Sequence, residues 1–481
     1  MSPRANDVRY VSTRGQASDL GFDEVLLAGL ARDGGLYVPA QWPVFDDATW
    51  RALRGATYQD VAVRVMAPFV GAAVSPDDLA ALVHETYAGF RHPAVAPLKQ
   101  IGANDWLLEL FHGPTLAFKD YALQLVGRLF DHVLRQRGRR IAILGATSGD
   151  TGSAAIEACR DRAAIDLFML FPQGRISEVQ RRQMTTVPAA NVHAIAIEGT
   201  FDDTQDLVKT LFNDLPFRDR VNLAAVNSIN WARIMAQIVY YASAALALGA
   251  PDRAVSFAVP TGNFGNVFAA YAAHRMGLPI DRLVVGSNRN DILTRFFDSG
   301  AMTIGTVEPS LSPSMDIQVS SNVERLLFEL LDRDGAALAA LMTGFRASGS
   351  FTLEEPRLAR ARTLFDAARV DDAQTKATIA DMLATTGELV DPHSAVAIEA
   401  GRARRGAARV PMIALATAHP AKFPDAVRAA TGVTVSLPPH LAHLMTARER
   451  VTVLPNDRAA VADFIQTTLG RGTSRAAGDA A

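Results

Sequence analysis

Residues Ile141–Arg162, IAILGATSGDTGSAAIEACRDR, run from an apolar strand through a loop of Gly, Ser and Thr into a helix. The strand AIDLFMLFP (Ala164–Pro172) follows, then the strand NVHAIAIEG (Asn191–Gly199) and a helix over Thr204–Asn213. The same texture returns at Ala254–Gly277, AVSFAVPTGNFGNVFAAYAAHRMG, with RLVVGSN (Arg282–Asn288) as the next strand. It returns once more where a helix over Ser394–Ala407 precedes VPMIALATAHP (Val410–Pro420). Strands that alternate with helices across short loops build parallel sheets covered by helices on both faces. The expected fold is therefore α/β, with parallel sheets.

Before this pattern, Phe22–Arg32, Tyr58–Phe69 and Pro76–Phe90 carry apolar residues at helical spacing, and Ser75-Pro76 marks a helix start. DGGLYVP (Asp33–Pro39) breaks the first of them and offers a short strand. A helical stretch near 322–383 interrupts the later strands, and Ser321 with Glu324 reads as a capping box for its first helix. Read linearly, residues 1–95 form an N-terminal helical region and 96–250 a smaller α/β domain. Residues 251–470 form a large α/β domain with the helical insertion, and 471–481 a mobile tail.

The chain has 481 residues, with 48 Lys and Arg against 50 Asp and Glu, a net charge of −2. That near-neutral sum gives no electrostatic reason to expect nucleic acid or an anionic membrane as partner. Cys159 is the single cysteine, which excludes an intrachain disulfide and multi-thiolate metal sites. It reads as a small buried hydrophobe on a helix over Ser153–Arg160. The longest apolar stretch, Ile234–Ala250, is interrupted by Gln237, Ser243 and Gly249 and falls short of a membrane span. No signal peptide is apparent at the start, so a soluble, cytoplasmic protein is expected.

Three places carry chemistry. In Gly262-Asn263-Phe264-Gly265-Asn266 the glycines let backbone N–H groups turn inward at a helix N-terminus, which suits a phosphate. The pattern is neither a Walker loop nor G-x-G-x-x-G, and a purely structural turn would also use glycine. Thr147-Ser148-Gly149-Asp150-Thr151-Gly152 forms a second cradle, sized for a carboxylate or phosphate. Simple capping by Ser148 or Thr151 would need only one of its hydroxyls. In HGPTLAFKDYAL (His112–Leu123), Lys119 sits on an apolar segment that looks helical over Leu116–Leu129. On a solvated face it would be ordinary; buried, its amine would have the lowered pKa that carbonyl condensation requires. One such lysine with two anion cradles suggests pyridoxal phosphate, with the lysine as Schiff-base partner.

At these residues the chain resembles the threonine synthase family, of the longer bacterial and fungal type, within the tryptophan-synthase-β-like, fold type II pyridoxal-phosphate enzymes. The resemblance rests on YVSTRG (Tyr10–Gly15), DGGLYVP, the HGPTLAFKD box, TSGDTG, VNSINWAR (Val226–Arg233), GNFGN, DPHSA (Asp391–Ala395) and ATAHPAKF (Ala416–Phe423). It implies two parallel-sheet domains facing each other across a pyridoxal phosphate cleft, interleaved so that early residues return to the large domain. It also implies conversion of O-phospho-L-homoserine and water to L-threonine and phosphate. By that resemblance Lys119 is the Schiff-base lysine and acts as base, Gly262, Asn263, Phe264, Gly265 and Asn266 hold the cofactor phosphate, and Thr417 meets the pyridine nitrogen. Thr147, Ser148, Gly149 and Thr151 take the substrate carboxylate, while Asn227, Ser228 and Arg233 take its phosphate. Asp150 stands where many relatives of the wider group have an Asn that donates to the cofactor's phenolic oxygen; an ionised Asp only accepts.

His112 and His393 lie in family-like motifs, but a structural role, bonding a backbone carbonyl, is the favoured reading of each; Asp391 fits an N-cap. Arg14 either reaches the active site or packs the N-terminal region. No His/Asp/Glu cluster has metal-ligand spacing. Rival readings are a threonine dehydratase or β-replacement synthase, a phosphosugar or nucleotide enzyme, and a silent ligand sensor. The sequence leaves monomer or homodimer open.

Overall fold

Apolar runs bounded by glycine loops become strands, and the computed structural model, which describes residues 8–224 and 228–478, gathers them into two main sheets. The larger has the order Phe365–Arg369, Ile280–Ser287, Val255–Pro260, Met412–Ala416, Asp105–Glu109, Leu98–Gln100. All its pairings are parallel except that of Leu98–Gln100 with Asp105–Glu109. Every residue of Val255–Pro260 and Met412–Ala416 is buried, as expected of central strands covered on both faces. The second sheet is wholly parallel, in the order Thr452–Pro455, Val192–Glu198, Ile165–Pro172, Ile141–Ala146, Leu223–Ala224.

The chain divides into two units, one of Met1–Ala122 with Ser228–Ser436 and the other of Leu123–Asn227 with Leu437–Ala481. The linear boundaries expected at 96–250 and 251–470 cut across both. The physical reason lies in two segments. Helix Trp231–Ala247, buried along nearly its whole length, packs on helices Gly265–Arg275 and Tyr58–Val70 of the first unit. Strand Thr452–Pro455 extends the edge of the second sheet beside Val192–Glu198, taking the C-terminal segment with it.

In the first unit Tyr10–Ser12 pairs antiparallel with Tyr37–Pro39, and rings from Tyr10, Trp42 and Phe69 surround Trp231 at centroid distances of 5.6–5.9 Å. A core of Ala258, Val284, Ile379, Val396 and Ala414 joins the sheet to its covering helices. Ser75 caps helix Pro76–Tyr87 by accepting from the Asp78 N–H, and Asp391 caps Pro392–Ala403. In the second unit Leu144, Phe168, Ile195, Leu211 and Val461 form the core. Cys159 ends helix Asp150–Cys159, buried, with its thiol pushed up to about 12 by that burial.

Two expectations are corrected. The stretch 322–383 is not helical throughout: it contributes the edge strand Phe365–Arg369, a five-residue element within an alanine- and arginine-rich run whose helical propensity masks it. Ser321 and Glu324 do not cap the helix Val323–Leu330. Its N-cap is Asn322, with helical φ −86° and ψ −5° and no side-chain cap. The Glu324 carboxylate is instead held by Arg14 through Nε at 3.0 Å and Nη2 at 2.9 Å, with the Thr13 hydroxyl donating at 2.8 Å. Arg14 therefore packs the N-terminal region. At the other end, helix Arg458–Gly478 continues into the residues expected to form a tail.

Arg14 and Glu324 are 8% and 5% exposed, so removing one leaves a buried charge without its partner. Glu324→Ala is expected to cost about 3 kcal/mol in urea unfolding. The paired replacement Arg14→Met with Glu324→Leu should cost far less; equal losses would show that the ion pair is not the cause.

Candidate active site

Lys119 opens helix Lys119–Gln136 and is reached through a sharply bent loop. Leu116 has φ +61°, a left-handed conformation that a leucine adopts only under constraint. The constraint is Asp120, fully buried, whose Oδ2 accepts from the Thr115 N–H at 2.8 Å and whose Oδ1 accepts from the Thr115 hydroxyl at 2.7 Å. Gly113 is required here, since a Cβ would lie 2.5 Å from that of Asp120. The buried Lys422 ammonium donates to the Thr115 carbonyl at 2.7 Å.

Backbone bonds then stitch this loop to the one after strand Met412–Ala416. The Leu110 N–H donates to the Ala416 carbonyl at 2.9 Å, Phe118 N–H to Thr417 at 2.8 Å, and His419 N–H to Leu116 at 3.0 Å. The segments carrying Lys119 and Thr417, far apart in the chain, are thereby held side by side. The Lys119 side chain is half-buried, with Nζ 4.9 Å from the centroid of the Phe118 ring. Thr417 is 5% exposed.

The glycine loop lies after the neighbouring strand Val255–Pro260. Phe264 takes φ +63° and precedes helix Gly265–Arg275, which has no side-chain cap. The first N–H groups of that helix lack intrahelical partners, so they present positive potential at the loop. Asn266, 7% exposed, accepts through Oδ1 from the hydroxyls of Tyr240 at 2.5 Å and Tyr241 at 2.6 Å. Its Nδ2 has no hydrogen-bond partner among the described residues.

Arg233 is the other unusual group. It is 4% exposed on helix Trp231–Ala247, and its Nε and Nη1 have no partner among the described residues. Burial pushes it down to about 10, with Tyr240 acting in the opposite direction, so the guanidinium remains charged at neutral pH. Ser228 lies in the turn before the same helix, whereas Asn227 lies outside the described residues.

In the second unit the TSGDTG loop has its own logic. Thr147 Oγ1 accepts from the N–H groups of Gly149 at 3.0 Å and Gly152 at 2.8 Å, so Thr147 does the capping expected of Ser148 or Thr151. Gly149 has φ +141°, and a Cβ there would meet the Gln180 amide at 2.4 Å. That amide donates from Nε2 to Asp150 Oδ1 at 2.9 Å, which makes Asp150 an acceptor. Ser148 is exposed and Thr151 half-buried.

His393 receives a hydrogen bond at Nε2 from the Ser314 N–H at 3.3 Å and contacts Asp391 through Nδ1 at 2.7 Å, while His112 pairs with Glu109 at 2.7 Å. Sequence reasoning does not single out Tyr240, Tyr241, Gln180, Lys422 or Asn322. Only the run Ser320-Ser321-Asn322 carries a usable signal, because it holds more small polar side chains than one helix cap consumes. Among the described residues no group of three or more His, Cys, Asp or Glu could hold a metal ion, and no helix is long and apolar enough to cross a membrane.

Comparison with known proteins covers nearly the whole chain. Family models described as Threonine synthase N terminus, Pyridoxal-phosphate dependent enzyme, and Threonine synthase, C-terminal match residues 9–87, 91–343 and 394–465. The chain is 56% identical over 466 residues to threonine synthase of Pseudomonas aeruginosa, covering 97% of this chain and 99% of that one. To the enzyme of Schizosaccharomyces pombe it is 42% identical over 461 residues, covering 89% and 90%. The solved structure of pyridoxal-phosphate-bound threonine synthase from Brucella melitensis superposes with a TM-score of 0.94 at 56% identity, over 96% of this chain and 99% of that one.

His419 yields a pH prediction. Burial is the main cause that pushes its imidazole down to about 4; His112 and Lys422 act in the same sense, Asp391 and Glu109 in the opposite one. Between that value and about 6.5 the unfolded chain holds a proton that the folded chain does not, so stability falls as pH falls through this window. The expected loss from pH 7.5 to 5.0 is about 1–2 kcal/mol for this group. His419→Asn, which keeps an acceptor for the Ala421 N–H, should show a correspondingly smaller shift in urea midpoint. Identical shifts in the two proteins would refute it.

Proposed function

The chain belongs to the threonine synthase family of pyridoxal-phosphate-dependent enzymes, and from that premise we propose which of its side chains hold cofactor and substrate. The activity is conversion of O-phospho-L-homoserine and water to L-threonine and phosphate. The residues present suit the cofactor. Lys119 offers the amine, the Gly262–Asn266 loop offers backbone N–H groups and the unpartnered Asn266 Nδ2 for its phosphate, and Thr417 offers a hydroxyl for its pyridine nitrogen. A hydroxyl does not hold that nitrogen protonated as a carboxylate would.

Bound there, pyridoxal phosphate supplies an electron sink that acidifies first the Cα and then the Cβ protons of the substrate. Lys119 would tether the cofactor through Nζ, and the same amine would take the Cα proton of the substrate. Arg233, with Ser228 and Asn227, binds the substrate phosphate and stabilises its charge as the Cγ–O bond breaks. The planar guanidinium can do this through two parallel hydrogen bonds, which strengthen as charge collects on the leaving oxygen. Thr147, Ser148, Gly149 and Thr151 are assigned to the substrate carboxylate. Asp150, an acceptor held by Gln180, is assigned to the cofactor as a residue that orders its loop rather than one that donates. The reactants are small, charged and water-soluble, which supports a cytoplasmic enzyme, acting as monomer or homodimer.

One observation carries this assignment. The buried Arg233 guanidinium has no ion-pair partner among the described residues, an arrangement that costs several kcal/mol and persists where an anion binds. A dehydratase acting on threonine or serine has no substrate phosphate to use it. Arg233→Met is therefore expected to lower kcat/KM for O-phospho-L-homoserine by about 10²–10³. It should also raise the Tm of the ligand-free protein, because an unpaired buried charge is removed. A fall in Tm with unchanged kcat/KM would sink the assignment.

Lys119→Ala should abolish turnover. Borohydride reduction of the wild-type protein should bleach its visible band and leave a pyridoxyl adduct on Lys119 alone. Appreciable threonine formation by the variant, or an adduct elsewhere, would overturn the role given to this lysine.

A further inference from the structure

The residues that should cap helix Val323–Leu330 face the other way. Ser320 Oγ donates to the Gly262 carbonyl at 2.7 Å, and Ser321 Oγ donates to Asn263 Oδ1 at 3.2 Å. The Asn322 backbone N–H donates to the Asn263 carbonyl at 3.1 Å. Its carboxamide does more: Nδ2 donates both to the Asn263 carbonyl at 2.9 Å and to the Ser228 carbonyl at 3.3 Å. One fully buried side chain thus spans the glycine loop and the turn that leads to Arg233.

The orientation of that carboxamide is fixed from behind. Arg325, also fully buried, donates through Nη1 to Asn322 Oδ1, through Nε to the Tyr37 carbonyl at 3.0 Å, and through Nη2 to the Ile229 carbonyl at 2.6 Å. A guanidinium has only donors, so it holds the carbonyl end of Asn322 and leaves both amide hydrogens for the two loops. Rotating the amide would set donor against donor on one side and acceptor against two acceptors on the other. Gly265 leaves room, since a Cβ there would lie 3.3 Å from Nδ2. The helix gives up a side-chain cap worth about 1 kcal/mol to allow this.

We propose that Asn322, aligned by Arg325, is a positioning residue that couples the two phosphate sites, so that an anion bound at one orders the loop of the other. The proposal rests on the assignment of the glycine loop to the cofactor phosphate and of Ser228 with Arg233 to the substrate phosphate. Coupling of this kind is reciprocal and typically amounts to about 5–150-fold in affinity.

In the wild-type holoenzyme, saturating inorganic phosphate should slow cofactor release on dilution by about 5-fold or more, read from the visible absorbance. Arg233→Met should abolish that slowing, which separates it from an effect of ionic strength. Asn322→Asp keeps the shape but removes both donors. It should raise the cofactor Kd and the KM for O-phospho-L-homoserine together, each by about 10-fold or more, with kcat at saturation within about 3-fold. Ser321→Ala, which touches only the glycine loop, should raise the cofactor Kd alone. A wild-type release rate indifferent to phosphate, or an Asn322→Asp protein altered in only one of the two constants, would overturn the coupling. So would a Ser321→Ala protein in which both constants rise as they do in Asn322→Asp. A wild-type protein that takes up no cofactor at Lys119 would instead overturn the assignment beneath it. The release measurement needs no Asn322 variant, so it decides the matter even if Asn322→Asp does not fold.

Discussion

Parallel pairing of Asp105–Glu109, Met412–Ala416, Val255–Pro260 and Ile280–Ser287 places the carboxyl ends of all four strands on one edge. Each strand leaves that edge through the loop it carries: Leu110–Phe118 toward Lys119, Thr417–His419, Thr261–Phe264, and Asn288–Asp291. In open α/β sheets such an edge is where ligands bind. Here the strand order does more than gather loops. The strand ending at Ala416 lies between the one ending at Pro260 and the one ending at Glu109, so Thr417 falls between the glycine loop and the lysine loop. Residues 119, 262–266 and 417 have no local reason to meet, and the order of three strands brings them into sequence along one edge.

That edge is stabilised by contacts outside the chemistry. Asp120 and Lys422 fix the lysine loop by holding Thr115 through its N–H, hydroxyl and carbonyl. Asp316 does similar work for the loop after Ile280–Ser287, accepting from Asn288 at 2.8 Å, Asn290 at 3.0 Å and the Ser310 hydroxyl at 2.6 Å. These groups are satisfied, whereas Arg233 and Asn266 are left with unpartnered donors among the described residues. Buried polar networks that are complete rigidify a site, and groups left incomplete within such a frame cannot relax to find a substitute partner. Rigid surroundings therefore keep the unsatisfied donors aimed where an anion can satisfy them.

Much of this was legible in the order of residues. Strand, glycine loop and helix follow one another at Ile141 and Ala254 with little else competing, and burial on both faces leaves strands such as Met412–Ala416 apolar throughout. What was not legible depends on partners far away in the chain. Phe365–Arg369 and Thr452–Pro455 are edge strands of five and four residues, partly exposed, whose state is decided by the neighbour they extend. The discontinuous units have the same origin: nothing within Trp231–Ala247 says which sheet it will cover. The turn that carries Ser228 was readable only through the family motif VNSINWAR.

The capping box at Ser321 and Glu324 failed for a reason that generalises within this chain. A local rule assigns each small polar side chain to the nearest backbone donor, and it holds at Ser75 and Asp391, where one residue meets one need. At TSGDTG and at SSN there are more such side chains than the helix end can use. In the first, Thr147 alone takes two backbone N–H groups, and Asp150 is engaged by Gln180. In the second, all three side chains turn to the glycine loop and the cap is left empty. Surplus capping residues at a helix start thus mark points where polar side chains are left over for tertiary bonding, and both points here flank loops suited to anions. The net charge of −2 conceals the same fact from another direction, since the informative cations, Arg233 and Arg325, are distinguished by burial and by what surrounds them rather than by number.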